Sequence, residues 1–455
     1  MEQENQEQGA QYKEKVKFDA PAQTLEQSLN SLVKYGGFDF LESTIDGVAN
    51  MNPERKARKK IFLSEADKKL ERKDLAKKME LWVNMLAESS DIADMMEKCA
   101  AKSHAADKIH KKNLKKALDA TAQLEQAYRS VSLFYANSES DKLKNVTFVN
   151  ASMEQLKDLD NPRFIDYVGE ELKQNFDRLD LRDNYSLMVI PGYLGSNKVV
   201  EKWAKTAYAS KVMMVTDFEN LDSPEDVLDL FQSANLAGGD TYKSNVAMTC
   251  NWIVGRGKVA EVGEEDDLFV PGSAALAGKI YSTLMSQVTA GKKHGAINDV
   301  DAVKFDLKKS EISELEKAGL IPMVNEYGKI MAFSAKTLFN GDNLGLQTYS
   351  VVRVFDYIAK VLVDFLNRRA FENWTSKTEK ELRTQIVKFL DSIQGPEKLI
   401  EKFAILKFER DPNNKDRINL DIHITPYFPA KSFVVKLDGQ KGESSTEWAS
   451  QYAQQ

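Results

Sequence analysis

The strongest constraint on the fold is a series of apolar β-type runs between about residues 145 and 345, each followed by a helical run. NVTFVNA, SLMVIPGY, KVMMVTDF, SNVAMTCNWIV, GLIPMVNEYG and KIMAFSA succeed one another, and no internal repeat is present. That alternation predicts an α/β (α+β) layer architecture. At 455 residues, 42% hydrophobic and 29% charged, the chain has material for a sizeable core under a well-solvated surface.

Other segments flank this core. Residues 1–20 are Gln/Glu-rich and read as a flexible tail. Residues 21–140 read as a helical N-terminal region. Thr24 can cap a segment carrying Leu25, Leu29, Leu32 and Val33, and Gly36 and Gly37 stop it. A short amphipathic piece, FDFLESTIDGVANM, ends before Pro53 and carries Phe40, Leu41 and Ile45 on its apolar side. That side suits capture in another protein's groove or packing on its own domain, and both readings stay open. Lys/Glu/Ala/Leu-rich helices are expected over 64–88, 90–101 and 105–135, with broad polar faces turned to solvent or to other chains.

The α/β core is placed at 141–400. Within it, Ser350–Phe371 reads as one long, mostly buried helix, and 376–393 as a second that ends near Gly395 and Pro396. Arg353, Asp356, Lys360 and Asp364 are spaced 3, 4 and 4 apart, which places them on one stripe. Opposite charges at that spacing can pair along the helix, each exposed pair contributing about 0.2–0.5 kcal/mol. Residues 401–437 read as a β-meander. KFAILKFER leads through DPNNKD into RINLDIHIT, where Ile418, Leu420, Ile422 and Ile424 alternate with polar residues. After PYFPA, the run Phe433, Val434, Val435, Lys436, Leu437 forms a last strand, and 438–455 reads as a second flexible tail.

Candidate chemistry is sparse. In SLMVIPGYLGSNK, Gly192 and Gly195 precede Lys198, but a phosphate-binding loop needs Gly-Lys followed by Ser or Thr. A strand, a glycine turn and a capped helix explain the run better, with Lys198 a surface charge. The acidic run Glu264, Glu265, Asp266, Asp267 lacks the alternating spacing of a calcium loop and reads as a solvated loop or a face for a basic partner. His104, His110, His294 and His423 fall in no zinc pattern, and Cys250 lies in an apolar strand where a buried thiol is the default. Neither a nucleophile motif nor a cofactor fingerprint appears, so catalytic, metal and cofactor sites are all read as none. Two cysteines exclude a disulfide framework. A net charge of −6 argues against nucleic acid, and the absence of an apolar leader or a long apolar run argues against secretion and membrane insertion. A cytoplasmic protein is expected.

Several segments then carry a resemblance. SELEKAGLIPMVNEYGKIMAFSAKTLF, SVVRVFDYIAKVLVDFLNRRAF, HITPYFPAKSFVVKL and FLESTIDGVANM are similar, in order, to segments of the large subunit of the type VI secretion contractile sheath, the TssC family. The likeness spans roughly residues 38–437 and looks closest to a divergent branch with the run DLFVPGSAALAGKIYSTLMSQVTAGKKHG. The family's Asp-Ser-Arg-Tyr segment is not seen in that form. The resemblance implies a non-enzymatic structural subunit without cofactors. It implies pairing with a small sheath subunit, TssB, stacking in helical rings around an Hcp tube on a baseplate, and contraction that drives the tube outward. It implies that terminal strands interlace between subunits, here Phe433–Leu437 with Ile418–Ile424. It also implies that an AAA+ unfoldase, ClpV, grips the helix bearing Phe40, Leu41 and Ile45. The alternatives are a soluble α/β nucleotide-using enzyme and a sheath protein of another phage-tail-like machine.

Overall fold

The computed structural model describes residues 65–453, apart from 140–142, 144, 182–183, 432–433 and 440–447. Phe40, Leu41, Ile45 and Phe433 lie outside the described residues. The chain divides into two units, Met1–Lys116 and Ala117–Gln455. In the first, α1 (Lys69–Glu88) is followed by α2 (Ile92–Asn137), which continues across the division. The helices expected over 90–101 and 105–135 are therefore one. The link Lys102-Ser103-His104 contains neither Gly nor Pro, so helix propagation costs little there. Leu70, Met79 and Met96 on these helices are exposed.

The second unit starts with a correction. NVTFVNA forms no strand, and Phe148 is 58% exposed. An apolar run becomes a strand only where a ladder partner meets it, and none does here among the described residues. After α3 (Met153–Lys157) and α4 (Arg163–Phe176), the expected layers appear. Strand β1 (Leu187–Ile190) leads through the glycine turn into α5 (Asn197–Ala209) and back to β2 (Met213–Asp217), parallel to β1. Ser196 caps α5 by accepting the Val199 N–H, and Lys198 is exposed. A second crossover, α6 (Pro224–Ala234), with Ser223 as its cap and proline at its first turn, returns to β3 (Val246–Cys250).

SNVAMTCNWIV, read as one run, is broken at Asn251, whose φ is 64°. Its side chain binds the Phe305 and Met323 carbonyls at 2.7 and 2.8 Å, which holds the break in place. A separate ladder of β4 (Ile253–Arg256) and β5 (Leu268–Val270) follows, then α7 (Ser273–Ser282), α8 (Gly291–His294) and α9 (Lys309–Ala318). Strands β6 (Ile321–Glu326) and β7 (Lys329–Ala332) form a hairpin. Its two central residues, Tyr327 and Gly328, have φ of 56° and 71°, the sign that a tight two-residue hairpin turn requires.

The sheet order is β1-β2-β3-β6-β7, with parallel pairings from β1 to β6 and β7 antiparallel at one edge. Both faces are covered, which is why its strands read as continuous apolar runs. Met214, Val246, Met248, Val324 and Met331 point into one core with Trp203, Phe218 and Phe231. Their neighbours Met213, Val215, Ala247, Met323 and Ile330 point into the other, with Leu276, Ile280 and Tyr349. The remaining elements are α10 (Tyr349–Asn367), α11 (Ser376–Ile393), β8 (Ile400–Arg410), β9 (Ile418–Pro426), β10 (Val434–Gly439) and β11 (Trp448–Ala453). A third core joins α10 and α11, through Ile358 and Ile386, to Phe403, Phe408, Leu420 and Ile422 of β8 and β9.

One buried side chain ties the sheet ends together. Asp217 closes β2 and is completely buried. One of its oxygens accepts the Gly192 N–H at 2.9 Å and the Ser273 hydroxyl. The other accepts the Ser273 N–H at 2.8 Å and the Thr249 hydroxyl. Burial pushes its carboxyl up from the usual range, and these donors oppose the shift.

Two substitutions test this packing. An amide at 217 has one acceptor oxygen and turns an NH2 group toward existing donors. Asp217→Asn should therefore lower unfolding free energy by about 2 kcal/mol or more in urea titrations, and an unchanged midpoint would refute the lock. A Cβ at Gly278 in α7 would sit 2.5 Å from the Phe134 carbonyl oxygen of α2. Helix propensity favours Gly278→Ala by about 1 kcal/mol, but overpacking costs about 1–3 kcal/mol. The variant should melt at a lower temperature, and a higher one would show that the two helices can separate freely.

Candidate functional site

The C-terminal strands are the first group of residues singled out from sequence. Ile418, Leu420, Ile422 and Ile424 all lie in β9, half-buried, and pair with Arg410, Phe408, Ile405 and Phe403 of β8. They face the third core as the alternation requires. Strand β8 shifts register between Ile405 and Lys407. The bulge leaves Leu406 exposed and lets both Ile405 and Phe408 face inward, three residues apart.

The expected three-stranded meander is instead two separate two-stranded ladders, β8–β9 and β10–β11. The expected loose tail from Asp438 contains β11. In that ladder Val434, Val435, Lys436 and Leu437 pair with Ala453, Tyr452, Gln451 and Ser450. The polar composition of WASQYA hid this strand. A ladder needs only backbone groups and a partner, and here the partner is the apolar run of β10. Val434 and Val435 are 54% and 48% exposed. Beyond a single bridge from Gln394 to Ile400, the outer edges of both ladders have no strand partner among the described residues.

The α10 stripe is the second group. Arg353, Asp356, Lys360 and Asp364 do lie on one side of the helix, but they do not bridge one another, which corrects the expectation of pairing along the helix. Each reaches across to another element. Asp356 accepts the Asn245 side-chain amide at 2.9 Å and lies 3.7 Å from the Lys211 ammonium. Lys360 donates to the Asn184 side chain at 2.6 Å and to the Tyr185 carbonyl at 2.8 Å. Asp364 accepts the Leu181 N–H at 2.9 Å and Arg368 at 2.6 Å. Among the described residues, Arg353 donates only to the Ile280 carbonyl, at 3.3 Å. The stripe lines a cleft of about 460 Å³ with Leu181, Met213 and Met285. Burial pushes the Lys360 ammonium down to about 8, with Asp356 opposing the shift and Lys211 adding to it. Burial likewise lowers the Arg353 guanidinium to about 10 and raises Asp356.

Lys211, Asn245 and Asn184 were not legible as site residues, because they come from elements remote in sequence. Asp217 left one faint signal, an acid closing an apolar strand. The acidic loop is bound internally: Glu264 accepts both arms of Arg256 at 2.7 and 3.0 Å, and Asp267 accepts the Lys258 N–H at 2.8 Å. Among the described residues no cluster of three metal-ligating side chains occurs, and no helix is long and apolar enough to cross a membrane.

A helical N-terminal region followed by a doubly covered sheet and terminal strand ladders defines the class of fold. Three family profiles match it in succession: the TssC/VipB-like N-terminal region over residues 25–114, the type VI secretion system TssC/VipB central domain over 116–340, and the TssC/VipB-like C-terminal domain over 348–454. No curated protein matches. Among solved structures, a chain of the anti-feeding prophage baseplate is similar at 17% identity, over 69% of this chain and 80% of that one, with a TM-score of 0.47. A chain of the same prophage's contracted helical sheath is 17% identical over 67% and 79%, with a TM-score of 0.45. The sheath tail protein from Desulfitobacterium hafniense is 13% identical over 51% and 49%, with a TM-score of 0.36. The chain belongs to the type VI secretion TssC/VipB family and is a subunit of a self-assembling contractile sheath.

The Lys360 environment has a pH consequence. A lysine whose ammonium is disfavoured on folding binds fewer protons in the native state than in the unfolded chain. Stability should therefore rise as pH climbs from about 8 towards 10.5. Urea midpoints across that range should climb for the wild type and flatten for Lys360→Met. Parallel profiles would show that Lys360 titrates alike in both states.

Proposed function

We propose that this chain is the large subunit of a cytoplasmic type VI secretion sheath. It pairs with the small subunit TssB, surrounds an Hcp tube docked on a baseplate, and propels that tube when the lattice contracts. The observation that carries this reading is the pair of C-terminal ladders whose outer edges have, beyond the Gln394–Ile400 bridge, no strand partner among the described residues, beside an α/β sheet covered on both faces. Unpaired edge groups are templates for strands of neighbouring chains. In the proposed lattice Phe433–Leu437 joins Ile418–Ile424 of an adjacent subunit, so subunits stay connected by backbone pairing while they rotate. The exposed Leu70, Met79 and Met96 in the N-terminal unit suit contact with the small subunit. The segment with Phe40, Leu41 and Ile45 is assigned to the recycling unfoldase, ClpV.

The role is read as non-catalytic. In SLMVIPGYLGSNK the Gly192 N–H, which a phosphate-binding turn would aim at its ligand, is taken by the Asp217 carboxylate. A fixed negative group in that position disfavours a second anion, which weighs against a nucleotide enzyme built on this turn.

The test is electron microscopy of the chain co-expressed with its small subunit, where long hollow cogwheel tubes are expected. Val435→Pro removes one N–H from the β10 ladder and should abolish those tubes. Normal tubes from that variant would overturn the interlaced-strand reading.

A further inference from the structure

The α10 cleft contains a charge that has no counterion among the described residues. Six charged side chains line it. Lys211, Arg353, Lys360 and Arg368 are cations, and Asp356 and Asp364 are the only carboxylates among them. The two carboxylates are already engaged, Asp356 by Asn245 and Lys211, and Asp364 by Leu181 and Arg368. Arg353 is 9% exposed and, among the described residues, faces no carboxylate within ion-pair distance and keeps its Nε without a hydrogen-bond partner. A buried guanidinium with one carbonyl contact and an orphaned N–H is costly, and proteins tolerate it where a ligand completes the pairing. Lys360 uses two of its three donors, and Lys211 stands 3.7 Å from Asp356, so donors remain beside the same cleft.

We infer that this cleft is an oxyanion-binding site, in which the planar guanidinium of Arg353 receives a phosphate or carboxylate group and the lysine ammoniums of the cleft hold it by charge. Arginine is suited to this because its fork matches the oxygens of either group. The apolar wall formed by Leu181, Met213 and Met285 lowers the local dielectric and strengthens the attraction. Two sources supply the shared chemistry: a free phosphate-type anion, or an Asp or Glu side chain from a neighbouring subunit of the lattice. The site does not depend on the interlaced-strand reading, since it contains no residue of β8–β11.

The test uses the unassembled full-length chain, titrated with inorganic phosphate against chloride at matched ionic strength and read by thermal unfolding. The wild type should show a saturable rise in melting temperature with phosphate that chloride does not give. Arg353→Met fills the same space without the charge. It should lose affinity for phosphate by roughly tenfold or more, and without phosphate it should melt no lower than the wild type, because an unpaired buried charge has been removed. Arg353→Lys should keep part of the phosphate response. Sheath formation then separates the sources. Assembly by Arg353→Met despite lost phosphate binding assigns the site to a free anion. Loss of assembly that Arg353→Lys restores assigns it to a neighbour's carboxylate. A wild type without a saturable phosphate response, or an Arg353→Met variant that responds like the wild type, would overturn the proposal.

Discussion

The carboxylate of Asp217 is the contact on which the layered unit depends. It sits where three parallel strands end and one helix begins, and it gathers donors from the turn after β1, from β3 and from the start of α7. A carboxylate cannot be buried alone, because desolvation would outweigh any packing gain. Four donors offset that cost only if all three segments hold their places together. The glycine turn is part of the same device. Gly192 has φ of 100°, donates to Asp217 and accepts from the Thr216 hydroxyl at 3.0 Å, so its backbone is fixed on both sides. A turn committed in this way positions helices, and its Gly192 N–H is not free for a ligand.

From that anchored end outward, the chain separates a covered core from partly exposed strand ladders. The five-stranded sheet is sealed by helical layers on both faces, and its apolar residues are divided between two cores. The C-terminal ladders are built differently. Strands β8 and β9 cover α10 and α11 with one face and, beyond the Gln394–Ile400 bridge, have no further strand partner among the described residues, while β10 and β11 pair through backbone groups with exposed valines. The proposed lattice would use both features: the covered core as the body of each subunit, and the strand ladders as links that keep pairing while the bodies move.

The α10 stripe shows how far periodicity reaches. Spacings of 3 and 4 correctly placed Arg353, Asp356, Lys360 and Asp364 on one side of a helix. They said nothing about Lys211, Asn245, Asn184 or Leu181, which meet that side from other elements. The four charges therefore serve a cleft between elements in place of a ladder along the helix. In the same way, NVTFVNA had the composition of a strand and no partner, and WASQYA had a partner without the composition.

The sequence by itself determined the local and the periodic. Caps at Ser196 and Ser223, the extent of α11 and the start of α10, the apolar runs of β1, β2, β3 and β6, and the inward face of β9 all follow from neighbouring residues, because propensity, capping and alternation act over a few positions; α10 itself ends at Asn367, short of the expected Phe371. The order and spacing of the matching segments also carried the sheath resemblance. The tertiary structure alone decided which run finds a ladder, that Asn251 breaks one strand into two, that the C-terminal strands form two hairpins, and that Asp217 and Arg353 are buried with such different company. Those outcomes rest on desolvation and pairing between segments far apart in the chain, and such energies exist only once the segments have met.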